Sequence, residues 1–286
     1  MLYLLLAILS SSLISIIMRL STGRTKSERG MLLSNYFVCS LVAALYSGAD
    51  ALFPFNGGFP RDLGHALALG FVGGFLFLAA FILFQNNVKK NGVVLSSSFM
   101  KLGLLVPIML SIAVFHETPR WFEIVGFILA LFAIVLINYQ PGEGKASSAW
   151  GLILLLLVGG AADSMTKIFE ETGEAALSSQ FLFYIFLSAF ILCLIMLIIE
   201  KNMPSKMDLL FGALIGIPNY FSSRFILKAL ADLNAVVVYP VYSVCTILVV
   251  TIVGIIAFKE RLKKQQWLGL AVIIVSLALL NLNAGV

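Results

Sequence analysis

The chain has 286 residues, of which 60% are hydrophobic and 12% charged, with a formal net charge of +5. A soluble domain presents a wetted surface and carries about twice that share of charge, which excludes a water-soluble globular fold. The absence of a basic stripe interleaved with aromatics excludes nucleic acid as a partner, and the continuous apolar blocks, lacking period-two alternation, exclude a membrane β-barrel.

What remains is an all-α, polytopic membrane protein, because each apolar block reaches the roughly 20 residues of helix that cross a bilayer. The first predicted helix covers about residues 2–20. It begins Met1-Leu2-Tyr3-Leu4 without a basic leader or small-residue cleavage site, and reads as a retained span. The second, about 31–48, carries the polar pair Asn35-Tyr36, which suits either a solute or a hydrogen bond between helices. A connection from Ser47 to Asp62, holding Pro54, Gly57, Gly58 and Pro60, leads to the third helix at about 63–86, with Gly73-Gly74 inside it. The fourth, about 92–115, holds Ser96-Ser97-Ser98-Phe99-Met100-Lys101. A charge at that depth costs roughly 2.5–3.5 kcal/mol on insertion scales, so Lys101 needs a purpose. Glu117 then opens the turn to the fifth helix at about 120–139, and Pro141-Gly142-Glu143-Gly144-Lys145 divides the chain near its middle.

The sixth helix, about 149–168, contains Asp163-Ser164-Met165-Thr166-Lys167. Asp163 and Lys167 share a helix face and can pair; Asp163 is also the carboxylate that could neutralise Lys101. The seventh helix lies at about 177–199. The eighth, about 207–229, places Gly216-Ile217-Pro218-Asn219 opposite Gly73-Gly74 of the third, followed by Tyr220, Ser222, Ser223 and Arg224. Interrupted helices at matching places point to a midplane site, where freed backbone groups meet a solute. Arg224 reads equally as a second cation, with bidentate geometry suited to a carboxylate, or as an anchor at the membrane interface. The ninth helix, about 234–258, includes Tyr239-Pro240-Val241-Tyr242-Ser243, and the tenth covers about 265–283.

The segment from Asn91 to Asn138 aligns without a gap on that from Asn234 to Asn281, an offset of 143 residues. The pairs Glu117/Glu260, Gly126/Gly269 and Asn138/Asn281 carry the match, since aliphatic identities are cheap in apolar helices. Glu117 and Glu260 read as helix-end residues that satisfy free N–H groups, or as a gate; Gly126 and Gly269 read as close-packing positions. Two halves of five helices follow, residues 1–140 and 149–286, and an odd number makes the repeat inverted. The turns after helices 1, 3, 5, 7 and 9 collect Arg24, Lys26, Arg29, Lys89, Lys90, Lys145, Lys201, Lys206, Lys259, Arg261, Lys263 and Lys264. By the positive-inside rule that face is cytoplasmic and both termini lie outside, in a plasma or bacterial inner membrane.

The block Asn91-Gly-Val-Val-Leu, Val106-Pro107, Phe115-His-Glu117, Gly126, Asn138, repeated as Asn234-Ala-Val-Val-Val, Phe258-Lys-Glu260, Gly269, Asn281, resembles the EamA-type repeat of the drug/metabolite transporter superfamily. The resemblance implies a ten-helix transporter with a central cavity, and substrates among amino acids, nucleobases, sugar phosphates, amines and drugs. Many members keep their termini in the cytoplasm, whereas the charges here argue the reverse.

The expectation is a secondary transporter of a small polar solute working by alternating access. Lys101, aided by Arg224, would hold an anionic group of an amino acid, organic acid or phosphorylated metabolite. Ser97, Asn35, Tyr36, Asp163, Asn219, Tyr220, Tyr239 and Tyr242 complete the candidate site. An exporter of amphipathic drugs or amines is the main alternative and would rely on membrane carboxylates, of which Asp163 is the candidate. An intramembrane enzyme would need clustered His, Asp or Ser, and His65 and His116 lack such partners; a non-transporting receptor would leave the polar helix residues without a role. No cofactor or metal is expected, since Cys39, Cys193 and Cys245 show no ligand spacing. A ten-helix chain encloses its own site, so a monomer suffices, with a dimer as the alternative.

Overall fold

The computed structural model describes residues 1–48, 61–91, 93–138, 149–201, 203–259 and 264–280. Its helices are α1 (Leu2–Ser21), α2 (Glu28–Ser47), α3 (Arg61–Asn91), α4 (Val93–Leu102), α5 (Leu105–Ala113), α6 (Trp121–Asn138), α7 (Ala149–Thr172), α8 (Ser178–Ile199), α9 (Lys206–Asp232), α10 (Ala235–Phe258) and α11 (Lys264–Leu280). Among the described residues eight helical segments are long and apolar enough to cross a membrane, counting Leu95–Ala113 as one, and the shorter Trp121–Ile137 and Lys264–Leu280 bring the spans to ten. The fold is thus an all-helical, multi-pass membrane architecture. The Pro54–Pro60 stretch, the Pro141–Lys145 divider, Glu260, Arg261, Lys263 and Asn281 lie outside the described residues.

The interruption falls elsewhere than expected. The third and eighth spans, α3 and α9, run unbroken past Gly73-Gly74 and Pro218. The fourth span is the broken one: α4 ends at Leu102, one residue after Lys101, and α5 begins at Leu105. Pro107 supplies a physical cause, since its ring cannot sit against the carbonyl four residues back, at Gly103, and its missing N–H is harmless in the first turn of a new helix. Pro218 is tolerated inside α9 because neighbouring helices in a membrane protein re-satisfy freed backbone groups.

Packing runs chiefly across the halves. α2 lies along α9 and α3 along α8; α1 meets α9 and α10, while α3 and the α4–α5 span meet α7. α6 pairs with α11, and α2 with α8. This pattern is unchanged when every helix is exchanged for its counterpart in the other half. Glycines make the close crossings. A Cβ on Gly126 would meet Leu280 and one on Gly269 would meet Ile137, which are reciprocal contacts at the 143-residue offset. In α9, Gly216 lies against Val38 and the Asn35 carbonyl of α2, and in α3, Gly70 and Gly74 lie against Tyr184, Ile185 and Ser188 of α8. Small residues at such crossings let backbones approach, where van der Waals packing rather than water exclusion holds helices together.

The basic end is tied by one carboxylate. Asp208, fully buried, closes a capping box with Ser205 at the start of α9 and accepts from the backbone N–H of Ser205 (2.7 Å), Lys26 (2.7 Å) and Ser27 (3.3 Å). Ser27 in turn caps α2 by accepting from Gly30 N–H at 3.1 Å. Arg29 and Glu200 form an ion pair at the same end.

Candidate functional site

Two joined cavities occupy the middle of the molecule. The deeper one, about 300 Å³, is polar and is lined by α1 (Ser11, Ser15), α3 (Phe77), α4 (Met100, Lys101), α7 (Asp163, Thr166), α9 (Asn219, Ser222, Ser223) and α10 (Tyr239, Tyr242, Ser243, Thr246). The second, about 560 Å³, is mostly apolar, with Ile14, Met18, Met31, Phe77, Phe81, Phe84, Phe186 and Ile215 on its wall. They share Ser15, Phe77, Met100, Lys101, Asn219 and Ser223, so Lys101 stands where one passes into the other. The apolar cavity continues along Met18, Phe81 and Phe84 toward Lys26 and Glu28, and then to a surface groove bearing Lys26, Arg29 and Lys89. The path therefore leads to the end of the bundle that carries the basic turns.

Helical periodicity positions the polar wall. Tyr239, Tyr242, Ser243 and Thr246 stand at i, i+3, i+4 and i+7 of α10, and Asn219, Ser222, Ser223 and Ile226 repeat that spacing on α9. Such residues share one helix face. Tyr242 Oη and Ser222 Oγ, 2.9 Å apart, join the two faces, and Asn219 Nδ2 ties α9 to α2 by donating to Asn35 Oδ1 at 3.1 Å. Tyr239 Oη donates to the backbone carbonyl of Asp163 at 3.1 Å, closing the floor. Thr246 Oγ is buried against this cavity and has no hydrogen-bond partner among the described residues.

Of the residues expected from sequence, Lys101, Asp163, Asn219, Tyr239 and Tyr242 meet around the polar cavity, and Ser97, Asn35 and Tyr36 line the apolar one. Lys101 and Asp163 face one space without an ion pair between them, so the pairing that would neutralise both is not made. Three residues lie elsewhere than expected. Arg224 lines neither cavity: its guanidinium sits 4.3 Å from the Tyr46 ring centroid, and Nη1 donates to Tyr220 Oη at 2.7 Å and Ser179 Oγ at 3.2 Å. Tyr220 is fully buried in that same aromatic cluster, because one residue beyond Asn219 the helix has turned by about 100° toward α2 and α8. Nor does Lys167 pair with Asp163. It binds Glu117 (2.9 Å), Glu170 (2.8 Å) and Glu171 (2.6 Å).

Ser11, Ser15, Thr166 and Thr246 were not singled out from sequence. The signal that finds them is the spacing of small hydroxyl residues, Ser11 with Ser15 at i+4 and Thr246 closing the Tyr239 stripe at i+7.

The sequence model of the EamA-like transporter family matches residues 1–139 and 149–282. An uncharacterized protein of Haemophilus influenzae is 28% identical over 203 residues, covering 69% of each chain. A solved crystal structure superposes with a TM-score of 0.72 at 15% identity, over 98% of this chain and 96% of the other, which speaks to the fold.

Proposed function

Because the chain belongs to the EamA-like transporter family, a branch of the drug/metabolite transporter superfamily and hence a multi-pass membrane transporter rather than an enzyme, we propose that it carries an amino acid or another small metabolite with an anionic group by alternating access. The observation that supports this most is the polar cavity in which Lys101 and Asp163 face the same space without pairing. Two half-buried opposite charges left apart within the membrane span cost desolvation that neither repays to the other, and a solute bearing the complementary charges would repay both. The carboxylate of the solute meets Lys101, an ammonium meets Asp163, the tyrosines and hydroxyls of α10 hold its polar body, and its apolar part extends into the adjoining cavity. The two repeats, 1–140 and 149–286, supply the pseudo-symmetry, and the pairing of α1 and α2 with α9, and of α7 and α8 with α3, supplies the bodies that move. With the basic end read as cytoplasmic, the cavity is open inward and both termini lie outside.

The test is a thermal-shift screen of the purified protein against amino acids, organic acids, phosphorylated metabolites, nucleosides and amines. A ligand bound only by the folded form at a hundred times its Kd stabilises it by about 2.7 kcal/mol. Amino acids are expected to raise the midpoint of the native protein and not that of Lys101→Ala. Asp163→Asn should lose the response to amino acids and keep that to simple organic acids. Shifts with amines alone, unchanged in Lys101→Ala and lost in Asp163→Asn, would instead make this the carrier of an organic cation, a reading that Asp163 in the cavity supports.

A further inference from the structure

The end of the bundle opposite the opening is closed by a polar contact that the binding site does not need. Glu117 belongs to the connector between α5 and α6. Its carboxylate accepts from the backbone N–H of Ala235, the first residue of α10, at 3.0 and 3.2 Å, and pairs with Lys167 of α7 at 2.9 Å. A single first-half side chain thus grips two second-half helices. The Lys167 side chain is 3% exposed and that of Glu117 9%, so the contact is shielded from water. It also sits one helical turn beyond the cavity floor: Lys167 is four residues after Asp163, Ala235 four before Tyr239, and those two floor residues are themselves hydrogen-bonded.

We propose that Glu117, with Lys167 and the N-terminus of α10, is the releasable gate that holds this end shut while the cavity faces the basic end. Two features make the contact releasable. When Glu117 departs, Lys167 retains Glu170 and Glu171 from its own helix, so its ammonium is never left buried and unpaired, the outcome that makes breaking an ordinary buried pair prohibitive. The Ala235 N–H, freed at a helix start, meets water as that end opens. The connector is also held in an uncommon backbone form: His116, immediately before Glu117, has φ +57°, in the left-handed region that costs a β-substituted residue energy and that clusters at switch segments. Its counterpart 143 residues on, Lys259, has φ +54°, so both halves carry the same turn at opposite ends of the bundle.

The gate rests on the alternating-access reading, and its test needs no solute, so its failure is separable from failure of the binding screen. Cys39, Cys193 and Cys245 are replaced by alanine and Ser243→Cys is introduced as a reporter inside the cavity. Full-length protein in vesicles of each orientation is treated with a membrane-impermeant methanethiosulfonate. The parent should label from the basic end only. Glu117→Gln should raise labelling from the opposite end about tenfold, the population shift expected from losing one charge-assisted contact. Ala235→Pro removes the N–H that Glu117 accepts while keeping every charge, at a first-turn position where proline is favoured, and should raise opposite-end labelling in the same direction. Should Glu117→Gln not fold, Ala235→Pro decides alone. Opposite-end labelling that stays at the parent level in each folded variant overturns the gate.

Discussion

Asn219 and Tyr220 are adjacent in sequence and end in different environments. Asn219 reaches the cavity and α2, whereas Tyr220 is walled in with Tyr46, Phe186 and Arg224. A polar residue within an apolar helix announces that it needs a partner, but not which face supplies it. Arg224 shows this sharply: its needs are met by Tyr220, Ser179 and the Tyr46 ring. Replacing it by Lys, which has neither the planar fork nor the stacking surface, should leave solute binding intact and lower the thermal midpoint. Asp208 is the opposite case, a buried carboxylate whose three backbone donors come from two separate chain segments. Asp208→Asn is expected to destabilise the protein by on the order of 2 kcal/mol, read as a lower unfolding midpoint with unchanged ligand response. Lys101, by contrast, was legible from depth alone, because nothing in an apolar helix justifies its charge except a cavity or a counter-ion.

At the scale of the helix, the apolar blocks and their repeat were readable from sequence, but the order in which the helices pair was not. Nor was the position of the break. Gly73-Gly74 and Gly216-Ile217-Pro218 have the composition of interruptions, yet in α3 and α9 glycine serves close approach. Composition cannot separate these roles, since both need the absence of a side chain; only the neighbouring helix decides. The two repeat mates should therefore respond differently to the same change. A Cβ on Gly216 would lie 2.7 Å from Val38 Cβ and 2.9 Å from the Asn35 carbonyl, whereas one on Gly73 would meet nothing closer than the Ile185 side chain, at 3.2 Å. Gly216→Ala is expected to cost about 1–3 kcal/mol through overpacking, and Gly73→Ala clearly less, by thermal unfolding in detergent.

Across the whole molecule, each half is completed by the other. The α2–α9 and α3–α8 pairs join elements that are more than eighty residues apart in sequence, and α6 finds its main neighbour in α11. Residues 1–140 and 149–286 expressed as separate chains should accordingly co-purify when produced together and fail to accumulate when produced singly, as tagged pull-down and yield would reveal. Independent accumulation of either half would show that intra-half contacts suffice. Part of the cavity wall had a signal in the sequence, since Lys101, Asp163, Asn219, Tyr239 and Tyr242 are polar residues within apolar helices and all face the polar cavity. Its apolar annex was not anticipated, since Phe77, Phe81 and Phe84 on a membrane helix read as lipid-facing until a neighbour is seen opposite them.

The discontinuity at Gly103 belongs to one half alone: the corresponding stretch of α10, at Thr246 and Ile247, is continuous helix. A carrier with identical halves would present the same affinity from either face. Here the hinge-bearing segment holds Lys101 and its counterpart, at Val244, is straight and uncharged. The half-saturation concentrations for entry from the two faces should therefore differ. For an uncoupled carrier, however, detailed balance requires the ratio of maximal rate to half-saturation to be the same in both directions. Measuring both directions without any ion gradient, then with one imposed, separates intrinsic asymmetry of the fold from energy drawn from an ion.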